Sequence, residues 1–268
     1  MNTRTVTFAS QGYAVIPSIV GDNALALARE LANGLIDRYR QGEEAVLAAG
    51  LSIGDAGHRH PQRNPGIELD ACTHEPFIIG DLIGLEPRFA RFISQQSIWD
   101  RVAELFDCAP CDLLFHFANL TRKPGETGPA IGWHRDGGNT YFASEDGRTV
   151  RLLIPLQFMS ARNGGTAVVP GSHLNGDTVT DTALCPDVPV GSCLALHSAT
   201  LHGGTANRSG LERDVIVLQF GLRSSVLRCT AAETLALSTR EELWERALSR
   251  DLPQSGSEPS RLGVTVVP

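Results

Sequence analysis

The stretch Gly132-Trp133-His134-Arg135-Asp136 carries an imidazole and a carboxylate separated by one residue. In a β-strand, alternating side chains would send His134 and Asp136 to the same face and so bring two metal-ligating groups to one spot. An imidazole nitrogen with a carboxylate oxygen suits a first-row ion such as Fe(II), and a second histidine from elsewhere would complete a 2-His-1-carboxylate triad with coordination positions left open. A bare His-x-Asp also arises by chance in solvated turns, so its meaning depends on a third ligand. Two downstream histidines compete for that place, His197 and His202, in Leu194-Ala-Leu-His197-Ser-Ala-Thr-Leu-His202-Gly-Gly-Thr-Ala-Asn207. Arg213 then opens an apolar run from Val215 to Phe220. A guanidinium at the mouth of a hydrophobic barrel is costly to bury unless an anion meets it, and arginine is suited to gripping a carboxylate with two N–H groups.

Composition narrows the partners. With 268 residues and 42% apolar content, the chain can bury a large core, as one large domain or two small ones; we expect one. A net charge of -7, a pI near 5.6 and the lack of a basic run argue against nucleic-acid and acidic-membrane partners and leave a small molecule. Met1 to Ser10 has no apolar leader core, and no later segment approaches the apolar length of a membrane span, so a soluble, cytoplasmic protein is expected. The oligomeric state leaves no mark in the sequence. The six cysteines, Cys72, Cys108, Cys111, Cys185, Cys193 and Cys229, are too few for a disulfide scaffold of this length. Cys108-Ala-Pro-Cys111 lacks a second pair at zinc-site spacing and reads as packing.

The elements that must position these residues emerge from periodicity and punctuation. Phe8 to Ile16 reads as a short strand, and Asp22 as the cap of a helix over about 24–39 with Leu27, Leu31 and Leu35 on one side. Residues 50–76 carry Pro61, Pro65 and Pro76 and read as a long loop, in which His58, His60, Gln62 and Arg63 either cover a substrate or face solvent. Ser97-Ile-Trp-Asp100 resembles a capping box ahead of a helix with Ile98, Val102, Leu105 and Phe106 as its apolar face. From Asp112 the texture becomes that of an antiparallel β body, with strands expected at 112–121, 131–136, 150–159, 166–169, 192–197 and 214–222, arranged as a sandwich, jelly roll or small barrel. Arg151 and Gln157 share a parity opposite the apolar Val150, Leu152, Ile154, Leu156 and Phe158; facing solvent is the favoured reading, facing the barrel interior the alternative. Asn139, Thr140, Tyr141 and Phe142 either line a substrate pocket or form a plain loop. Ser238-Thr-Arg-Glu241 should start a helix to about Leu248, with a flexible tail beyond Pro253.

Taken together, Trp133 to Asp136, Val169-Pro170-Gly171-Ser172-His173, His197 to Asn207, Arg213, Lys123-Pro124-Gly125 and Gly12 to Pro17 resemble the phytanoyl-CoA dioxygenase-like (PhyH) branch of the Fe(II)/2-oxoglutarate-dependent oxygenases. The resemblance runs from about residue 8 to 222. It implies a mainly β fold, a double-stranded β-helix (jelly roll, cupin-like) with flanking α-helices. One oxygenase domain would then fill 1–268: a helical and loop part to about 110, the jelly-roll core over 111–225, and a C-terminal helix and tail over 226–268. His134, Asp136 and His202 would be the iron ligands and catalytic centre, His202 being preferred to His197 because the family's ligand is the second of two nearby histidines with the arginine after it at this spacing. Arg213 would hold the distal carboxylate of 2-oxoglutarate. Many relatives place a hydroxyl residue two positions after the distal histidine, where this chain has Gly204; Thr205 is the substitute expected here, with Asn119 and Thr121 as further co-substrate residues. Tyr141, Phe142, Arg151, His58 and His60 are the substrate-pocket candidates.

The activity implied is hydroxylation of an unactivated C–H bond of a small metabolite, in natural-product biosynthesis, with O2 consumed and 2-oxoglutarate converted to succinate and CO2. Asp136 fills the position that halogenating relatives leave for chloride, so halogenation is not expected. The same cofactors also serve desaturation, epoxidation, cyclisation and epimerisation, which residue types do not separate. A cupin-like binding protein without turnover is the reading from another class, and a zinc hydrolase on the same ligands a further one. No cluster of Lys and Arg suited to an acyl-CoA is present.

Overall fold

The eleven residues of Leu113–Lys123 are all buried, and so are the ten of Arg213–Leu222. Strands covered on both faces belong at the centre of a structure. The computed structural model describes residues 3–44, 46, 54–55, 66–71, 74–138, 142–176, 178–229, 235–249 and 266–267. In chain order its strands are β1 (Tyr13–Ile16), β2 (Gly54–Asp55), β3 (Pro76–Ile79), β4 (Leu113–Lys123), β5 (Ile131–His134), β6 (Phe142–Ser144), β7 (Thr149–Pro155), β8 (Thr166–Val168), β9 (Cys193–His197), β10 (His202–Gly204), β11 (Arg213–Leu222), β12 (Leu227–Cys229) and β13 (Val266–Val267). The α-helices are α1 (Thr3–Gln11), α2 (Asp22–Arg40), α3 (Leu82–Leu85), α4 (Phe89–Ile93), α5 (Gln96–Phe106), α6 (Ser172–Asn175) and α7 (Arg240–Leu248).

The strands form a jelly roll. A seven-stranded sheet runs β1-β9-β7-β11-β4-β3-β2, a smaller one runs β5-β10-β8, and β6, β12 and β13 make a third. Side-chain alternation splits the large sheet cleanly. Its outer face (Leu152 and Ile154 of β7, Ile216 and Leu218 of β11, Ala118 and Leu120 of β4) joins the main core, where the helices pack. Its inner face (Leu153, Leu194, Leu196, Val215, Val217) forms a second, smaller core with Val168 of the opposing sheet. Other inward positions of β4, β7 and β11 are polar, namely Asn119, Thr121, Lys123, Arg151, Arg213 and Gln219, and that polarity is what a ligand-binding interior needs.

Several expectations need correction. Phe8 lies in α1 rather than a strand, and only Tyr13–Ile16 is extended, paired with β9. Asp22 is the first residue of α2, capped by Gly21 without a side-chain bond, and the buried stripe is Leu25, Ala28, Leu31, Ala32, Leu35 and Ile36, with Leu27 at its margin. Ser97 lies inside α5, because its hydroxyl is drawn to a tertiary partner, the Ile19 carbonyl at 2.7 Å. The C-terminal capping box sits one residue later, on Thr239 and Glu242. His58, His60, Gln62, Arg63, Asn139, Thr140 and Tyr141 lie outside the described residues, as does much of 50–76; of Phe142 only the backbone, in β6, is described. Cys108, Cys111, Cys185 and Cys193 are free thiols.

Candidate metal centre and anion cradle

β5 and β10 pair antiparallel with His134 directly opposite His202, so the two rings share a face and their centroids stand 4.2 Å apart. Asp136 reaches the same place by another route than strand alternation. β5 ends at His134, and Asp136 begins a short 3-10 turn, Asp136–Gly138, pinned by Gly137 N–H donating to the Ser198 carbonyl. The turn delivers Asp136 Oδ1 to 3.6 Å from His134 Nε2 and Oδ2 to 3.7 Å from His202 Nε2. Ligand atoms of these three residues all lie within 4.8 Å of one another, and among the described residues they are the one such group of three or more.

The orientation of each ring is set from behind. His134 Nδ1 lies 2.8 Å from the Gly132 carbonyl and His202 Nδ1 2.9 Å from that of Thr200. A carbonyl only accepts, so both Nδ1 atoms carry the proton and both Nε2 lone pairs turn to the cluster, as metal ligation requires. Burial works against charge on Asp136, yet Arg151, with His202 and His134, holds its carboxyl well below the usual carboxylate range. Burial also opposes protonation of both histidines; at His134 the neighbouring carboxylate outweighs it and raises the pKa, whereas at His202 burial prevails and lowers it. Two imidazoles and a fixed anion fit a divalent first-row ion, and three protein ligands would leave coordination positions for other groups.

His197 is not in this cluster. It ends β9, accepts a hydrogen bond from Ala199 N–H at 3.1 Å, and packs beside Phe8 and His173, so it orders the loop leading to His202. His173 in turn reaches the Ala9 carbonyl at 3.1 Å.

Arg151, favoured as solvent-facing, points inward. Its Nη1 donates to Asp136 Oδ1 at 2.7 Å, its Nε to Gln219 Oε1 at 3.0 Å, and its guanidinium stacks 5.2 Å above the Phe117 ring. Gln219 continues to His116, whose Nδ1 lies 3.0 Å from Gln219 Nε2. His116 is the extra residue of a bulge: Phe117 pairs with Gln219 and Phe115 with Phe220. Its ring lies over Gly221, where a Cβ would come within 2.6 Å of it. Gln157 turns to Asp214, donating to Oδ2 at 3.1 Å.

A second polar group sits at the far end of β4 and β11, where Arg213 and Lys123 oppose each other. Arg213 is 2% exposed and Lys123 fully buried. Among the described residues, Arg213 Nη1 meets only the Met159 sulfur at 3.9 Å and its Nε has no hydrogen-bond partner. The Lys123 ammonium donates to the Thr205 carbonyl. Asn119 and Thr121 share this inward face and are linked at 3.3 Å, while Thr205 is solvent-exposed. Lys123 is a functional candidate that the Lys123-Pro124-Gly125 motif contains without giving it a role: residue order shows its parity with Asn119 and Thr121 but not its opposition to Arg213.

The phytanoyl-CoA dioxygenase (PhyH) profile matches residues 8–215. The chain belongs to the phytanoyl-CoA dioxygenase family. It is 28% identical over 144 residues to the dioxygenase AneA of Aspergillus aculeatus, covering 49% of this chain and 48% of that one. It spans about half the length of the curated relatives it matches. Among solved folds it is similar to EctD from S. alaskensis with bound Fe (TM-score 0.66, 18% identity, 85% of this chain and 79% of that one), a protein also solved with 2-oxoglutarate and 5-hydroxyectoine. It is similar as well to SnoK, a non-haem α-ketoglutarate-dependent carbocyclase from nogalamycin biosynthesis (TM-score 0.63, 15% identity, 84% and 85%). Among the described residues of this PhyH-family chain, no helix is long and apolar enough to cross a membrane.

Proposed function

We propose that this PhyH-family protein is an Fe(II)/2-oxoglutarate-dependent oxygenase that hydroxylates an unactivated C–H bond of a small metabolite of the natural-product type. The observation that carries the reading is the His134/Asp136/His202 group, its aspartate and second histidine buried and both imidazole Nε2 atoms turned to one carboxylate. His134 Nε2, the Asp136 carboxylate and His202 Nε2 would hold the ion. Bound there, iron supplies O2 activation coupled to oxidative decarboxylation of 2-oxoglutarate to succinate and CO2. Arg151 would fix the Asp136 carboxylate by occupying Oδ1. Arg213 would take the distal carboxylate of the co-substrate, with Asn119 and Thr121 on the same inner face. Ordered side chains in a dry interior position the reactants and exclude water.

The substrate would enter beside Arg151. Because SnoK, a protein of similar fold, is described as a carbocyclase, cyclisation with the same cofactors is the second reading. A cytoplasmic setting and a small-molecule substrate accord with the acidic charge.

The test needs no substrate. Fe(II) and then 2-oxoglutarate, added without oxygen, should produce a weak visible charge-transfer absorption that His202→Ala loses; admitting oxygen should then release succinate. Bound iron without that absorption, and no oxygen-dependent succinate, would reassign the protein as a binding member of the fold. Activity with Zn(II) under anaerobic conditions would make it a hydrolase.

A further inference from the structure

We propose that Lys123 is the second cation of the co-substrate site, gripping the same 2-oxoglutarate carboxylate as Arg213, and that position 204 is glycine because the Lys123 ammonium needs the space. The inference rests on the reading of the chain as a 2-oxoglutarate enzyme and adds to it a residue and a reason for Gly204.

Three observations carry it. Lys123 and Arg213 are directly opposed on adjacent strands and face the barrel interior, so a lysine and an arginine share one buried site. The carboxylates nearest in sequence, Glu212 and Asp214, are both engaged by Arg122, Asp214 through both oxygens. Among the described residues the Lys123 ammonium meets a single acceptor, the Thr205 carbonyl, which leaves two of its three N–H groups for a ligand. Arg213 likewise keeps a buried Nε without a partner. Finally, a Cβ on Gly204 would stand 2.9 Å from Lys123 Nζ and push the ammonium aside. Burial and the neighbouring Arg213 both drive the Lys123 pKa down, and an anion bound beside it would oppose that shift. A dicarboxylic 2-oxo acid answers this: its far carboxylate accepts a planar fork from arginine and a point charge from lysine.

The test is anaerobic calorimetry on the full chain loaded with Mn(II), using 2-oxoglutarate and 2-oxobutyrate, the latter a keto acid without the far carboxylate. Lys123→Met should weaken 2-oxoglutarate roughly ten- to hundredfold while leaving 2-oxobutyrate and Mn(II) affinity unchanged. Gly204→Ala should weaken 2-oxoglutarate in the native background and add nothing in the Lys123→Met background, since both changes remove one interaction. Equal losses for both keto acids would show that Lys123 only packs the barrel; wild-type affinity in Lys123→Met would overturn the proposal outright. Should Lys123→Met fail to fold, undiminished 2-oxoglutarate affinity in Gly204→Ala overturns it equally. A wild-type protein that binds Mn(II) but neither keto acid removes the functional reading itself, a result distinct from any of these.

Discussion

Two neighbouring rungs of the β4/β11 ladder treat buried charge in opposite ways. On one, Arg122 faces Asp214, with Nη1 2.9 Å from each carboxylate oxygen, and reaches Glu212 at 2.9 Å through Nη2. On the next, Lys123 faces Arg213, and no carboxylate answers either of them among the described residues. Both rungs lie in the same strands, in almost the same depth of protein. The fold therefore neutralises a buried cation where the charge serves structure, on the face turned from the barrel interior. Where the strands turn inward it leaves two cations to each other. Burial alone pulls the Arg213 pKa down to about 10, a cost the folded protein carries until an anion arrives.

Mutating one residue of each rung separates the two kinds of charge. Asp214→Asn takes away the buried carboxylate of Arg122, leaving it the more exposed Glu212 and Glu75, and should cost stability up to the about 3 to 5 kcal/mol of breaking a buried pair from one side. Arg213→Met should leave the melting temperature of the ligand-free protein unchanged or raise it, because it relieves cation against cation. Its loss should appear instead in the 2-oxoglutarate requirement, raised roughly a hundred- to thousandfold. Melting curves with and without 2-oxoglutarate check both at once, since a ligand at about 100 times its dissociation constant adds about 2.7 kcal/mol to wild-type stability. The contrast between the rungs breaks if Arg213→Met destabilises the apo protein as much as Asp214→Asn does.

The other inward cation sharpens the contrast. Arg151 is already met by an anion, and that anion is Asp136. Removing Arg151 frees the carboxylate to rotate and should weaken metal binding about 10- to 100-fold, as loss of a group that orients a ligand does. Arg151→Met titrated with Mn(II) reads this directly. The same variant should leave 2-oxoglutarate affinity at saturating metal nearly unchanged if the two inward sites act separately, and metal affinity equal to wild type would remove Arg151 from the centre.

How much of this is legible in the sequence depends on which contacts are local. His-x-Asp, the downstream histidine and Arg213 each sit in a short motif, and the structure brings His134, Asp136 and His202 together. Strand alternation points to the right residues through the wrong geometry, for Asp136 belongs to a turn fixed by Ser198, far along the chain. The β body from Asp112 is plain in its punctuation, whereas the capping box at Ser97 fails because the serine hydroxyl finds Ile19 in the fold. Arg151 reads as outward because alternation reveals two faces but not which one is dry. Lys123 needs the register of β4 against β11, and register is a property of two strands that neither states alone.

A smaller effect tests the chain of hydrogen bonds behind Arg151. His116 is fully buried, and burial lowers its pKa from 6.5 to about 3. Between those values the unfolded chain takes up a proton that the folded protein refuses, so stability rises with pH there and its contribution is complete above about 6.5. Lowering the pH from 6.5 toward 3 should therefore remove about 1.4 kcal/mol of stability for each unit on account of this residue. His197, lowered to about 4 chiefly by burial, acts in the same direction, though water reaches part of its ring and screens the effect. His116→Gln can still meet Gln219, through a group that does not titrate. Denaturant midpoints measured from pH 7 to pH 5 should fall less steeply in this variant than in wild type. If the two slopes coincide, the bulged histidine is not the buried neutral base that the β4 distortion holds against Gly221, and the Gln219–Arg151 arm reaching Asp136 is anchored elsewhere.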